Sequence, residues 1–200
     1  MRRRAALAAA LAVAALGLAG CEKLFAPAKS PFQGIDVTGG SMGGELRLAD
    51  HDGKPRALAD FRGKVVVVFF GYTHCPDVCP TTLADLASAL KQLGNEASRV
   101  QVLLVTVDPK RDTPELLKQY VTAFNPSFIG MRGDTEALTR ATKDFHVYWN
   151  VREGRTAESY TVDHSGQVYA IDRDGKVRLL FAPGTAPAAI ASDLRLLLNS

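Results

Sequence analysis

Apolar positions are unevenly spread along the chain, and their spacing predicts most of its elements. Lys64 to Phe70 is a continuous run, largely β-branched, and Val100 to Val107 is nearly so; both read as strands buried on two faces. Between them Leu83, Leu86, Leu90 and Leu93 recur at helical spacing, which predicts an amphipathic helix ending near Gly94 and Asn95. Thr113 and Pro114 open another helix, with Leu116, Leu117, Tyr120, Val121 and Phe124 on its apolar side. Phe128 and Ile129 suit a short strand, and Asp134 caps a helix running to Phe145. Val168 to Ile171, a turn at Asp172 to Gly175, and Lys176 to Phe181 make a hairpin, after which Pro187 to Leu198 forms a closing helix. A similar turn, Asp50 to Gly53, lies between Leu46–Leu48 and Pro55–Leu58 and predicts an amino-terminal hairpin.

This alternation places the chain in the α/β class, with a central mixed β-sheet flanked by helices. A parallel pair followed by an antiparallel hairpin and a last helix is the thioredoxin-like arrangement. The expected fold is therefore a thioredoxin-like three-layer sandwich over residues 45–200, extended by the amino-terminal hairpin.

The first 44 residues have a different character. Arg2, Arg3 and Arg4 precede a stretch in which every residue from Ala5 to Gly20 is Ala, Leu, Val or Gly. That stretch is shorter than the ~20 residues a spanning helix needs and suits a signal-peptide core. Leu18, Ala19, Gly20 and Cys21 resemble a bacterial lipobox. Residues 1–20 are thus expected to be a lipoprotein signal peptide, with Cys21 carrying the lipid; the alternative is an uncleaved signal anchor. Residues 21–44, rich in Pro and Gly, read as a flexible linker. Either way the domain is expected in the bacterial cell envelope, on the periplasmic side, held to the membrane by its amino-terminal end.

At 200 residues, 46% hydrophobic and 22% charged, the chain has the composition of one globular domain plus an address segment. The three arginines at the start account for the formal net charge of +3, so residues 21–200 are balanced. A basic nucleic-acid footprint is absent, and three cysteines are too few for a disulfide-built mini-protein.

Two of those cysteines carry the candidate chemistry. Cys75 and Cys79 lie in Gly71-Tyr-Thr-His-Cys75-Pro-Asp-Val-Cys79-Pro80, between the first central strand and its helix. Functional groups of open α/β sheets gather at such strand ends. Pro80 fits the first helical position, placing Cys79 at the cap and Cys75 in the loop. The helix dipole and unpaired amides are then expected to lower both thiol pKa values. Four-residue spacing permits a small disulfide, static or redox-active, or two soft donors for a metal. Zinc would want four protein ligands; copper tolerates fewer.

Among the histidines, His51 is expected to be solvated in its turn, His146 to pack or line an edge, and His74 to tune Cys75 beside it. His164, in Tyr160-Thr-Val-Asp-His164-Ser-Gly166, precedes the terminal hairpin. In thioredoxin-like folds that loop faces the cysteines and ordinarily holds a proline. An imidazole there would face Cys75 and Cys79.

The cysteine segment, the stretch Val107-Asp-Pro-Lys-Arg-Asp-Thr-Pro114 and Val162-Asp-His164-Ser together resemble the Sco/SenC family, over roughly residues 45–198. Its members are thioredoxin-fold copper proteins of cytochrome c oxidase assembly. The resemblance implies that Cys75, Cys79 and His164 bind copper, Cu(I) or Cu(II), one per chain. It implies a metallochaperone rather than an enzyme, whose partners are the copper-bearing subunit of cytochrome c oxidase and other copper or thiol-redox proteins. The alternative is a thiol–disulfide oxidoreductase in which Cys75 and Cys79 reduce the cysteines of the same recipient. A peroxidase fits poorly, because Thr73 stands two residues before Cys75 where that chemistry wants three.

Overall fold

The two apolar runs become the centre of the sheet. The computed structural model describes residues 30–154 and 159–200; the expected signal peptide and Cys21 lie outside the described residues. In chain order the strands before the cysteines are β1 (Ile35–Asp36), β2 (Leu48–Asp50), β3 (Pro55–Arg56) and β4 (Val65–Gly71). Helix α1 (Val78–Leu93), β5 (Val100–Thr106), α2 (Pro114–Phe124), β6 (Ile129–Arg132) and α3 (Thr135–Asp144) follow. The chain continues through β7 (Trp149–Arg152), β8 (Thr161–His164), β9 (Val168–Ile171), β10 (Val177–Phe181) and α4 (Pro187–Leu198).

Eight strands form one mixed sheet in the order β1-β10-β9-β4-β5-β6-β2-β3. Strands β4, β5 and β6 run parallel, while β9 lies antiparallel on the other side of β4. Every residue of β4 and β5 is buried, as continuous apolar runs require. This is the α/β thioredoxin-like class, with the β2–β3 hairpin added at one edge.

Side-chain alternation assigns the helices to faces. Phe69, Leu104 and Gly130 stand side by side in register, so they point to one face. There Gly130 lies against Leu117 of α2, and Gly71, two residues after Phe69, lies against Cys79 of α1. Phe70 points the opposite way and meets Phe145, at the end of α3, and Tyr169. Two same-direction crossovers, β4-α1-β5 and β5-α2-β6, put α1 and α2 on one face, as the right-handed rule demands. Helix α4 packs beside α1.

The two Asp-x-Asp-Gly turns are near copies. In one, the Asp50 carboxylate accepts the N–H groups of Asp52 and Lys54 and the Arg56 Nε. In the other, Asp172 accepts from Asp174, Lys176 and the Arg178 guanidinium. Gly53 and Gly175 close these turns at φ of 77° and 80°, a region that disfavours any side chain.

The structure differs from the expected linker at residues 33–44. Ile35 and Asp36 pair with Leu180 and Leu179 of β10. The N–H groups of Gln33 and Gly34 donate to the buried Asp193 carboxylate of α4. Proline and glycine content signals an irregular backbone but not what fastens it, which here is one buried acid and one strand edge.

Candidate metal centre

Strand β4 delivers the chain to the cysteine loop at the carboxyl edge of the sheet. Helix α1 begins at Val78, so Cys79 is its second residue and Pro80 its third. The helix therefore starts two residues earlier than expected from Pro80. Proline is tolerated there because first-turn N–H groups have no intrahelical partner.

Cys79 is buried and Cys75 half-buried, and both are free thiols. The sulfurs differ sharply in proton affinity. The hydrogen bond from Cys79, the nearby His164 ring and the N–H groups of Asp77 and Cys79 together outweigh burial and lower Cys75 to about 3. Cys79 is raised well above the ordinary thiol range, first by its hydrogen bond to Cys75 and then by burial. The expectation of two lowered thiols is thus corrected. Two adjacent thiolates repel, so one sulfur ionises and the other keeps a proton to donate to it.

His164 closes the group. It is the last residue of β8, in a hairpin that the sequence pattern did not reveal. Trp149 pairs with His164 across that hairpin, and Arg152 pairs with Thr161. The imidazole Nε2 stands 3.4 Å from Cys79 Sγ, and Nδ1 stands 3.0 Å from the Ser165 carbonyl oxygen. A carbonyl only accepts, so Nδ1 carries the proton and Nε2 presents its lone pair to the sulfurs. Phe69 and Tyr72 meet the ring edge-on at 6.0 and 5.9 Å and fix its plane.

One donor atom from each of Cys75, Cys79 and His164 lies within 4.8 Å of the others. With zinc-like bonds of about 2.3 Å to sulfur and 2.0 Å to nitrogen, a three-coordinate ion holds its donors roughly 4 Å apart. Two sulfurs and an imidazole at this spacing suit a soft ion.

The other histidines stand apart. His74 is exposed and its Nδ1 lies 3.0 Å from Thr73 Oγ1, so it does not join the three donors. His51 departs from its expected solvation: its Nδ1 accepts the Gly130 N–H at 3.0 Å and pins the amino-terminal hairpin to β6. His146 is exposed rather than packed, at φ 54° between buried Phe145 and Val147.

Residue-type reasoning missed the supports. The fully buried Asp112 carboxylate accepts the N–H of Thr73 at 3.1 Å, its hydroxyl at 2.6 Å, and the Thr106 hydroxyl at 2.6 Å. It thereby anchors the loop two residues before Cys75. The stretch Val107 to Pro114 holds this acid, but in the sequence pattern it marks only a strand end and a helix start.

A thioredoxin-like sheet that gathers two cysteines and a histidine at its rim defines a thioredoxin-fold protein equipped to hold a metal ion. The SCO1/SenC family model matches residues 36–199, and the chain belongs to that family. It is similar to Bradyrhizobium japonicum ScoI, solved with copper bound, at 36% identity and a TM-score of 0.73, covering 78% of this chain and 99% of that one. A SCO1/SenC family lipoprotein from Bacillus anthracis is 30% identical, TM-score 0.66, covering 78% of this chain and 94% of that one. The mitochondrial SCO2 homolog of Mus musculus is 40% identical over 134 residues, 66% of this chain. The match covers 52% of that protein, so this chain spans about half the length of such relatives. Among the described residues, no helix is long and apolar enough to cross a membrane.

Proposed function

We propose that this protein is a copper metallochaperone, holding one copper ion per chain between Cys75 Sγ, Cys79 Sγ and His164 Nε2. The observation that carries this reading is the imidazole, whose tautomer turns a lone pair toward two sulfurs. The copper-bound relative from Bradyrhizobium japonicum supports copper as the ion. Two thiolates favour Cu(I), and an imidazole adds affinity for Cu(II). Cys75 is the more exposed of the two sulfurs, so an incoming thiolate meets the ion on its side, and copper passes on by ligand exchange. Family likeness supports the copper-bearing subunit of cytochrome c oxidase as recipient. Lipid on Cys21 tethers the chain to the periplasmic side of the membrane; the Bacillus anthracis lipoprotein is in keeping with that.

A second reading is favoured by the unequal sulfurs. An ionised, half-exposed Cys75 can attack a partner disulfide, forming a mixed disulfide and releasing one partner thiolate. Cys79, once deprotonated, then attacks Cys75 and releases the second. The partner gains the two electrons that the Cys75–Cys79 dithiol loses. His164 separates the readings. Copper delivery to a purified oxidase copper domain is expected to fall in His164→Ala, whereas reduction of that domain's disulfide survives. Disulfide reduction by a parent protein that delivers no copper would favour the reductant.

A further inference from the structure

Among the described residues, the hairpin that carries His164 pairs with no strand of the main sheet: β7 and β8 form a two-stranded sheet of their own. Its seat against the cysteine loop therefore depends on side chains, and these converge on Asp108, Arg111 and Tyr160. The Tyr160 hydroxyl donates to Asp108 Oδ1 at 2.7 Å, and Arg111 Nε donates to Asp108 Oδ2. Arg111 Nη1 donates to the Tyr160 carbonyl at 2.9 Å, and its guanidinium stacks 3.6 Å from the centre of the Tyr160 ring. The three residues thus close a cycle. Asp108 and Arg111 belong to the β5–α2 connection, and Tyr160 immediately precedes β8.

The cycle is joined to the cysteine loop. The Asp108 N–H donates to Thr106 Oγ1, whose hydroxyl donates to Asp112, which in turn holds Thr73. A continuous path of hydrogen bonds therefore runs from two residues before Cys75 to four residues before His164. Tyr72 adds a second tie, its hydroxyl accepting the Val162 N–H at 3.3 Å.

We propose that Arg111, with Asp108 and Tyr160, is a latch that positions His164: it seats the β7–β8 hairpin and so determines whether the metal sees three donors or only the two sulfurs. The proposal rests on the copper reading above. Arg111 touches none of the three donors in this arrangement and acts through the hairpin. The fork geometry and the stacking are both used, so lysine cannot substitute.

The test uses the full chain in detergent, with Cu(I) and Cu(II) ions as probes. Arg111→Ala and Arg111→Lys are expected to lower Cu(II) affinity about 10-fold, the usual scale for an outer-shell partner, and to weaken the nitrogen coupling in the spin-resonance spectrum. Cu(I) affinity, carried by the sulfurs, is expected to hold. Adding Arg111→Ala to His164→Ala should cost no further Cu(II) affinity, because the latch acts only through that imidazole. A second, additive loss overturns the proposal, as does full Cu(II) affinity in Arg111→Lys. Tyr160→Phe removes a single hydrogen bond and serves if Arg111→Ala does not fold; it is expected to shift the same signals in the same direction, and its silence would contradict the latch. Nuclear magnetic resonance of the metal-free chain separates this from failure of the copper reading. The His164 ring signals are expected to broaden or move in Arg111→Ala, and unchanged signals overturn the latch whatever copper does.

Discussion

His164 Nε2 lies 3.4 Å from Cys79 Sγ although 85 residues separate them in the chain. The contact joins two elements of different origin: a helix fixed by the apolar core, and a small hairpin held by polar side chains. The cysteine side is rigid because α1 buries Leu83, Leu86 and Leu90 on the sheet face. The histidine side is held by side-chain hydrogen bonds and ring contacts, which is where adjustment of the site is expected.

The unequal thiols have a direct consequence for pH. With Cys75 lowered to about 3 from an ordinary value of 9.0, its contribution to stability is present above the ordinary value and is lost as pH falls toward 3. Cys79, raised, contributes in the opposite sense: its share is present below the ordinary thiol value and is lost as pH climbs past its folded value. Alkylation of the metal-free chain by iodoacetamide is expected to label Cys75 at a rate nearly flat from about pH 5 to 8, while a simple thiol gains about tenfold per unit. Cys79 should stay unlabelled until the chain unfolds. A Cys75 rate that climbs in parallel with the simple thiol would contradict this assignment.

Gly71 is required for space, not for backbone freedom. A Cβ there would stand 2.9 Å from Cys79 Sγ, 3.0 Å from Phe69 and 3.3 Å from Leu104. Gly71→Ala is expected to cost about 1–3 kcal/mol in urea unfolding through overpacking. It should also shift the absorption spectrum of the copper-loaded chain by displacing the sulfur. A variant with parental stability and spectrum would show that the helix start yields freely.

Much of the fold was legible in the sequence because the apolar core dictates it. The β4 and β5 runs, the leucine spacing of α1, the Thr113 and Asp134 caps and the Asp172 turn all appear where pattern and chemistry place them. The β7–β8 hairpin was not legible. Its strands are four residues each, polar and mostly outside the core, so neither periodicity nor hydrophobicity marks them. Cys75, Cys79 and His164 could be nominated from residue type and topology. The role of Asp112 could not, because it is defined by three hydrogen bonds that only folding brings together.

That acid gives a further test. Asp112→Ala leaves the Thr73 N–H and hydroxyl and the buried Thr106 hydroxyl without their acceptor, at about 1–3 kcal/mol for each group that finds no replacement. Unfolding midpoints in urea should fall clearly for Asp112→Ala and less for Asp112→Asn, which keeps one acceptor oxygen. Equal stability of Asp112→Ala and the parent would mean that Thr73 is held by something else.

The most direct measurement is the copper content of the reduced chain after gel filtration, compared with Cys75→Ser, Cys79→Ser and His164→Ala. One copper per chain is expected for the parent and none for either serine variant. His164→Ala should retain Cu(I) better than Cu(II). Copper held equally by all four proteins would contradict a site made of these three side chains.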